Sequence, residues 1–196
     1  MEKQFSAAGQ GLMRIFFGVC LSAAYVLLNT TGLLLGLMPL RVLSAITCLG
    51  VFFLVFVALP AASVADSGYR RAIWFSRLGA VVGLLAALIV DNSMLIFALA
   101  VLRQLMELTG LVLICRLSSR LMEERDGDVD SSRGEMTWRL CVLCGVSSIL
   151  CACGAMFLAG NKMLLAPITV YLVLQLAGRL VFMAFLYRSQ GALQRH

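Results

Sequence analysis

The chain has 196 residues, of which 61% are apolar and 13% are charged, and its mean hydropathy is +0.96. An average soluble domain is about 45–50% apolar and about 25% charged, so a water-soluble globule of this size is excluded. The formal charge of +6 belongs to basic residues that flank apolar runs, which points to membrane topology and away from nucleic acid as a partner.

A membrane-spanning helix needs about 20 mostly apolar residues. In chain order, six segments qualify: about Leu12–Leu28, Leu33–Ala62, Ala72–Val90, Met94–Leu117, Leu140–Ala159 and Met163–Tyr187. Turn-forming residues separate them at Asn29-Thr-Thr-Gly32, at Asp66 to Arg71, at Asp91-Asn-Ser93 and at Gly160-Asn-Lys162. Strands of alternating polarity, the mark of a membrane barrel, are absent from the sequence. The expected fold is all-α: one transmembrane domain over 1–196, a bundle of six helices arranged as three hairpins, with a polar cytoplasmic loop at 118–138. One boundary has two readings. The favoured one turns the chain at Asn29 to Gly32 and makes helix 2 long, starting at Leu33 and kinked at Pro39. The alternative runs helix 1 on to Leu37 and starts helix 2 near Leu40.

Six spans put both termini on one side. That side carries Lys3, Arg14, Arg70, Arg71, Arg77, Arg116, Arg120, Arg125, Arg133, Arg139, Arg188 and Arg195, most of the 16 basic residues. Basic loops stay inside, so both termini are expected in the cytoplasm of a plasma or bacterial inner membrane. The spacing from Arg14 to Asn29 matches that from Arg77 to Asn92. A repeated hairpin could produce this match, but so could the reuse of Arg at inner edges and Asn at turns.

Several chemistries are missing. The single histidine is His196 and the only lysines are Lys3 and Lys162, which removes histidine-ligated metal, bis-histidine haem and a mid-membrane Schiff base. There is no P-loop, dinucleotide fingerprint or nucleophile elbow. No cofactor or metal is expected. In the polar loop, Asp126, Asp128 and Asp130 imitate the start of a calcium loop, but Ser131 and Thr137 stand where the turn glycine and the bidentate glutamate are required. A solvated connector is the better reading.

Seven cysteines lie within or beside spans. Cys141-Val-Leu-Cys144 has the spacing of an exchangeable dithiol. Cys144 also joins a stripe of small side chains with Ser148, Ala152, Ala155 and Ala159, and Cys141 one with Gly145, which lets membrane helices approach closely. Packing is the favoured role. A membrane thiol oxidoreductase is the alternative, and the only enzymatic one.

The candidate site is a set of charges inside apolar spans. Arg103, Gln104 and Glu107 lie on helix 4, Gln175 and Arg179 on helix 6, and Arg41 on helix 2 if that helix begins at Leu33. Arg103 and Glu107 are one turn apart, in reach of each other. Counted from the outer turns, Gln175 is level with Glu107. Charges at this depth face a bundle interior or a wet cavity. Three arginines against one carboxylate leave positive charge over, and Arg suits a carboxylate or phosphate. The expected function is therefore a small transport or ligand-binding membrane protein for an anionic solute or lipid headgroup, working as a homo-oligomer or with partner subunits. A non-catalytic subunit, assembly factor or sensor of a larger membrane complex is the competing class.

Overall fold

A computed structural model describes residues 2–63, 66–88, 93–125, 132–157 and 165–194. These form six α-helices: α1 Glu2–Leu35, α2 Met38–Ala62, α3 Tyr69–Leu88, α4 Ser93–Arg125, α5 Ser132–Phe157 and α6 Leu165–Gln194, with no strand among the described residues. Each helix packs antiparallel on the next in sequence, and α6 closes on α1, so the six form a ring with α4 also touching α6. Three contacts fix the registers of the first, second and third hairpins: Leu21 against Gly50, Ser76 against Gly110, and Cys144 against Gly178.

The first turn differs from the favoured expectation. Helix α1 runs straight through Asn29-Thr-Thr-Gly32, where the Thr31 hydroxyl donates back to the Leu27 carbonyl at 2.7 Å. The chain reverses instead at Gly36, whose φ is +65°. The Leu37 amide then donates to the Gly32 carbonyl at 3.1 Å, the six-to-one bond of a glycine C-cap. Pro39 falls in the first turn of α2, where a missing N–H costs nothing. A continuous helix from Leu33 would have placed that proline against the carbonyl of Leu35 and broken a hydrogen bond. Helix 2 therefore starts at Met38 with no kink at Pro39, and its internal proline is Pro60, in the last turn. Ser63 caps that turn by donating to the Pro60 carbonyl at 2.8 Å.

The expected polar loop at 118–138 is mostly helix. Helix α4 continues to Arg125 and α5 starts at Ser132. Both extensions are held by packing and by local charge. The Tyr69 and Ser118 hydroxyls share a hydrogen bond of 2.8 Å, and the Ser119 side chain lies against Gly134, leaving no room there for a Cβ. Burial pushes the Tyr69 hydroxyl above its ordinary pKa. On the exposed faces, Arg120 pairs with Glu124 at 3.0 Å and Arg139 with Glu135 at 2.6 Å, each one turn apart. Asp126, Asp128 and Asp130 lie outside the described residues.

The buried apolar core sits at the end of the bundle that carries the termini. Ala8, Leu12, Tyr69, Cys115, Leu121, Phe185 and Leu186 all belong to it. Elsewhere the usual polarity is reversed: Phe53, Leu150 and Phe157 are 66%, 66% and 92% exposed, while Ser44, Ser148 and Gln175 are buried. Four helical segments are long and apolar enough to cross a membrane: Ala8–Gly32, Phe97–Glu124, Arg133–Phe157 and Ala166–Ala192. Helix α2 adds a shorter apolar stretch, Met38–Leu54. An all-helical bundle with an apolar exterior is what lipid as a solvent requires, because a helix satisfies its own backbone.

Candidate functional site

Midway along the bundle, the six helices meet in a polar layer. Its centre is Glu107 of α4. One carboxylate oxygen accepts from Arg103 Nε at 2.8 Å, and the other faces Arg179 Nη2 of α6 at 3.7 Å. The pair one turn apart thus forms as its spacing predicts, and the carboxylate bridges to a second arginine on a neighbouring helix. Formally, two positive charges share one negative charge.

Each arginine has further partners. Arg103 Nη1 donates to the Tyr25 hydroxyl of α1 at 3.1 Å and lies 3.7 Å from Cys48 Sγ of α2. Its guanidinium carbon stands 4.7 Å from the centre of the Tyr25 ring, an attractive contact between a cation and an aromatic face. Arg179 Nε donates to Ser22 Oγ of α1 at 3.0 Å. Its Nη1 donates to both oxygens of Gln175, the backbone carbonyl at 3.1 Å and the side-chain carbonyl. The Gln175 amide then donates to Ser148 Oγ of α5 at 2.8 Å, and Gln104 Nε2 reaches the same oxygen at 2.6 Å. Gln104 also donates to the Gly145 carbonyl at 3.2 Å. The chain from Arg103 through Glu107, Arg179, Gln175 and Ser148 to Gln104 is continuous, so each member orients the next.

Helix α3 contributes space instead of a polar group. At Gly83, a Cβ would come within 3.1 Å of both Cδ and Nη1 of Arg103. One turn earlier, a Cβ at Gly79 would touch Met106 and the Arg103 carbonyl. The two glycines, four residues apart, let α3 lie close to α4, and Gly83 makes room for the guanidinium.

Of the predicted site residues, Arg103, Gln104, Glu107, Gln175 and Arg179 come together in this layer. Arg41 does not join them. It stands in the first turn of α2, near an end of the bundle, because that helix starts at Met38; its side chain lies outside the described residues. The sequence reading missed Tyr25, Ser22 and Cys48, and took Ser148 only for packing. Ser22 and Tyr25 are three residues apart on one face of the otherwise apolar run from Ile15 to Leu28, a signal that could have marked them.

A cavity of about 270 Å³ adjoins the layer. Arg103, Gln104, Glu107, Gln175 and Arg179 line it together with Ser22, Cys48 and Arg77, while its other walls are mostly apolar. Its floor includes Ile15, Ile73, Ile114 and Phe182, which also belong to the core below. Among the described residues, no hydrogen bond reaches Arg103 Nη2 or Arg179 Nη2. These donors are the chemical capacity of the site: Arg103 Nη2, and Arg179 Nη2 with only its 3.7 Å approach to Glu107, beside a hollow of low polarity.

The two cysteines of the dithiol spacing, Cys141 and Cys144, also line this cavity. Cys141 is buried, and its thiol lies 3.5 Å from the Gly178 carbonyl. A Cβ at Gly178 would lie 3.3 Å from Cys144 Cβ, so both cysteines seat α5 closely against α6. All seven cysteines are free thiols. Among the described residues, no three metal-ligating side chains gather.

Comparison with known proteins brings no match: no family model fits the sequence, and neither a curated protein nor a solved structure is similar to it.

Proposed function

We propose that the chain is a multi-pass membrane protein of six spans in three hairpins, with both termini in the cytoplasm, whose central cavity binds an anionic solute or lipid headgroup for transport or retention. The observation that carries this reading is the pair Arg103 and Arg179 sharing the single carboxylate of Glu107 beside a cavity. A buried charge left without a counter-charge is costly, and on the cheaper scale an arginine at mid-membrane costs about 2.5–3.5 kcal/mol. An anion in the cavity would balance the second arginine. The basic residues gathered at the end that holds the termini support the orientation. The apolar exterior of α2 supports counting it as a span; α3, the shortest helix at 20 residues, is long enough to do the same.

The test compares the purified protein with the variant Arg179→Gln. This removes the surplus arginine and leaves Glu107 paired with Arg103 at 2.8 Å, so the variant should fold. Thermal unfolding is followed in detergent with inorganic phosphate, acetate or phosphatidylglycerol added. A bound anion at 100 times its Kd stabilises by about 2.7 kcal/mol, so at least one of the three should raise the Tm of the wild type and none that of the variant. An equal response of both proteins would remove the anion from Arg179 and leave Arg103 and Glu107 a structural pair.

A further inference from the structure

One arginine of the cavity takes no part in the polar layer. Arg77 lies two turns into α3, and its guanidinium carbon stands 4.9 Å from the Phe56 ring of α2 and 5.9 Å from the Trp74 ring of its own helix. Its Nε is buried without a hydrogen-bond partner, the only side-chain atom so placed among the described residues. No carboxylate among them pairs with it. A charged donor withdrawn from water without a partner is costly, and an arginine that merely snorkelled to the interface would keep its donors in water.

The surroundings show what could satisfy it. Arg77 and Phe56 both line the cavity, yet Phe56 is 46% and Trp74 is 59% exposed on the outside of the bundle. Arg77 therefore stands where the cavity meets the outer surface, at the seam of α2 and α3. The α2 wall behind it is apolar, built from Leu49, Val51 and Phe52. A ligand that fits must offer oxygens to the planar guanidinium fork and apolar length to that wall. We propose that Arg77, framed by Phe56 and Trp74, is the headgroup contact for an anionic amphiphile, with a phosphate or carboxylate head, whose chain enters the cavity sideways between α2 and α3. This inference rests on the membrane reading above but does not require an anion at Arg103.

Trp74 reports on the site directly. The protein has two tryptophans, so Trp138→Phe leaves Trp74 as the sole emitter, one side chain away from the proposed headgroup. The full chain in phosphatidylcholine nanodiscs receives dibrominated phosphatidylglycerol, dibrominated stearate or dibrominated phosphatidylcholine in increasing proportion, and quenching of Trp74 is read. A charge-assisted contact corresponds to an anionic lipid quenching at roughly tenfold lower mole fraction than the zwitterionic one. Preference for phosphatidylglycerol assigns a phosphate head, and preference for stearate a carboxylate. Arg77→Gln should bring the anionic lipids to the level of phosphatidylcholine, as should Arg77→Met, which keeps the apolar stem against Phe56 should the first variant not fold. The double variant Arg103→Leu with Glu107→Leu should keep the preference. Equal quenching by all three lipids overturns the proposal, as does a preference that survives either Arg77 variant. A preference lost in the double variant but kept in the Arg77 variants would place the anion at the central layer, sparing the first reading and ending this one.

Discussion

Arg103 and Arg77 line one cavity and live by different rules. Arg103 is held from three directions: a carboxylate on its own helix, a tyrosine hydroxyl and ring from α1, and a thiol from α2. Arg77 has two aromatic rings and an unbonded Nε. The first environment was assembled by the fold and holds helices together. The second leaves a valence open. A buried arginine is thus not by itself a sign of a ligand; what matters is how many of its donors the protein has already used.

The largest effect should come from breaking the central ion pair on one side only. Glu107→Leu strands two arginines, and Arg103→Leu leaves Glu107 with Arg179 alone at 3.7 Å. Each should cost about 3–5 kcal/mol in reversible unfolding from detergent, Glu107→Leu the more, and the double variant, which leaves only Arg179 without its carboxylate, should recover part of the Glu107→Leu loss. Additive losses would show that the two charges do not depend on each other.

Crowding the same guanidinium from α3 should come next. Gly83→Val drives a branched side chain into Arg103, which Glu107 and Tyr25 hold in place, and should cost about 1–3 kcal/mol. Gly154→Ala in α5 meets nothing within 4 Å and should leave stability within about 0.5 kcal/mol. Equal effects at the two glycines would mean that α3 does not press on Arg103.

Tyr25→Phe keeps the ring under Arg103 and removes the hydroxyl that accepts from Nη1. About 1.5 kcal/mol should be lost, as for other hydrogen bonds to charged groups. The smallest effect belongs to Arg77→Met. In delipidated detergent it removes a weak contact with aromatic rings and relieves an unbonded donor, so stability should stay within about 1 kcal/mol of wild type. A loss as large as that of Arg103→Leu would erase the contrast between the two arginines.

The contrast also marks what could be read from the chain. The pair Arg103 and Glu107 was legible because both residues lie on one helix, one turn apart. The level of Gln175 and Arg179 followed from counting along a helix of constant rise. Cys48 and Ser148 depend on how α2 and α5 rotate about their axes, and long apolar helices give little indication of that: with apolar residues on every side, no polar stripe selects the inner face. The first turn was misread for a local reason. Asn29-Thr-Thr-Gly32 has turn residues, but in a helix threonine can bond its own preceding carbonyl, and the glycine that took the left-handed conformation was Gly36. The extension of α4 and α5 into the supposed loop was hidden by its polarity, although Arg120 with Glu124 and Glu135 with Arg139 have the spacing of helical ion pairs.

The uneven filling of the bundle has a directional consequence. Below the hollow, the ends of the helices are locked by buried side chains and by the bond between Tyr69 and Ser118. Anything moving from the cavity toward the termini would have to part that plug, giving up apolar contacts and a buried hydroxyl pair at once. Among the described residues, arrival from the side between α2 and α3 breaks no such contacts. In the form described, the interior is a blind vessel, stoppered at the end where the charged residues gather, and passage through the stopper would require the hairpins to swing apart.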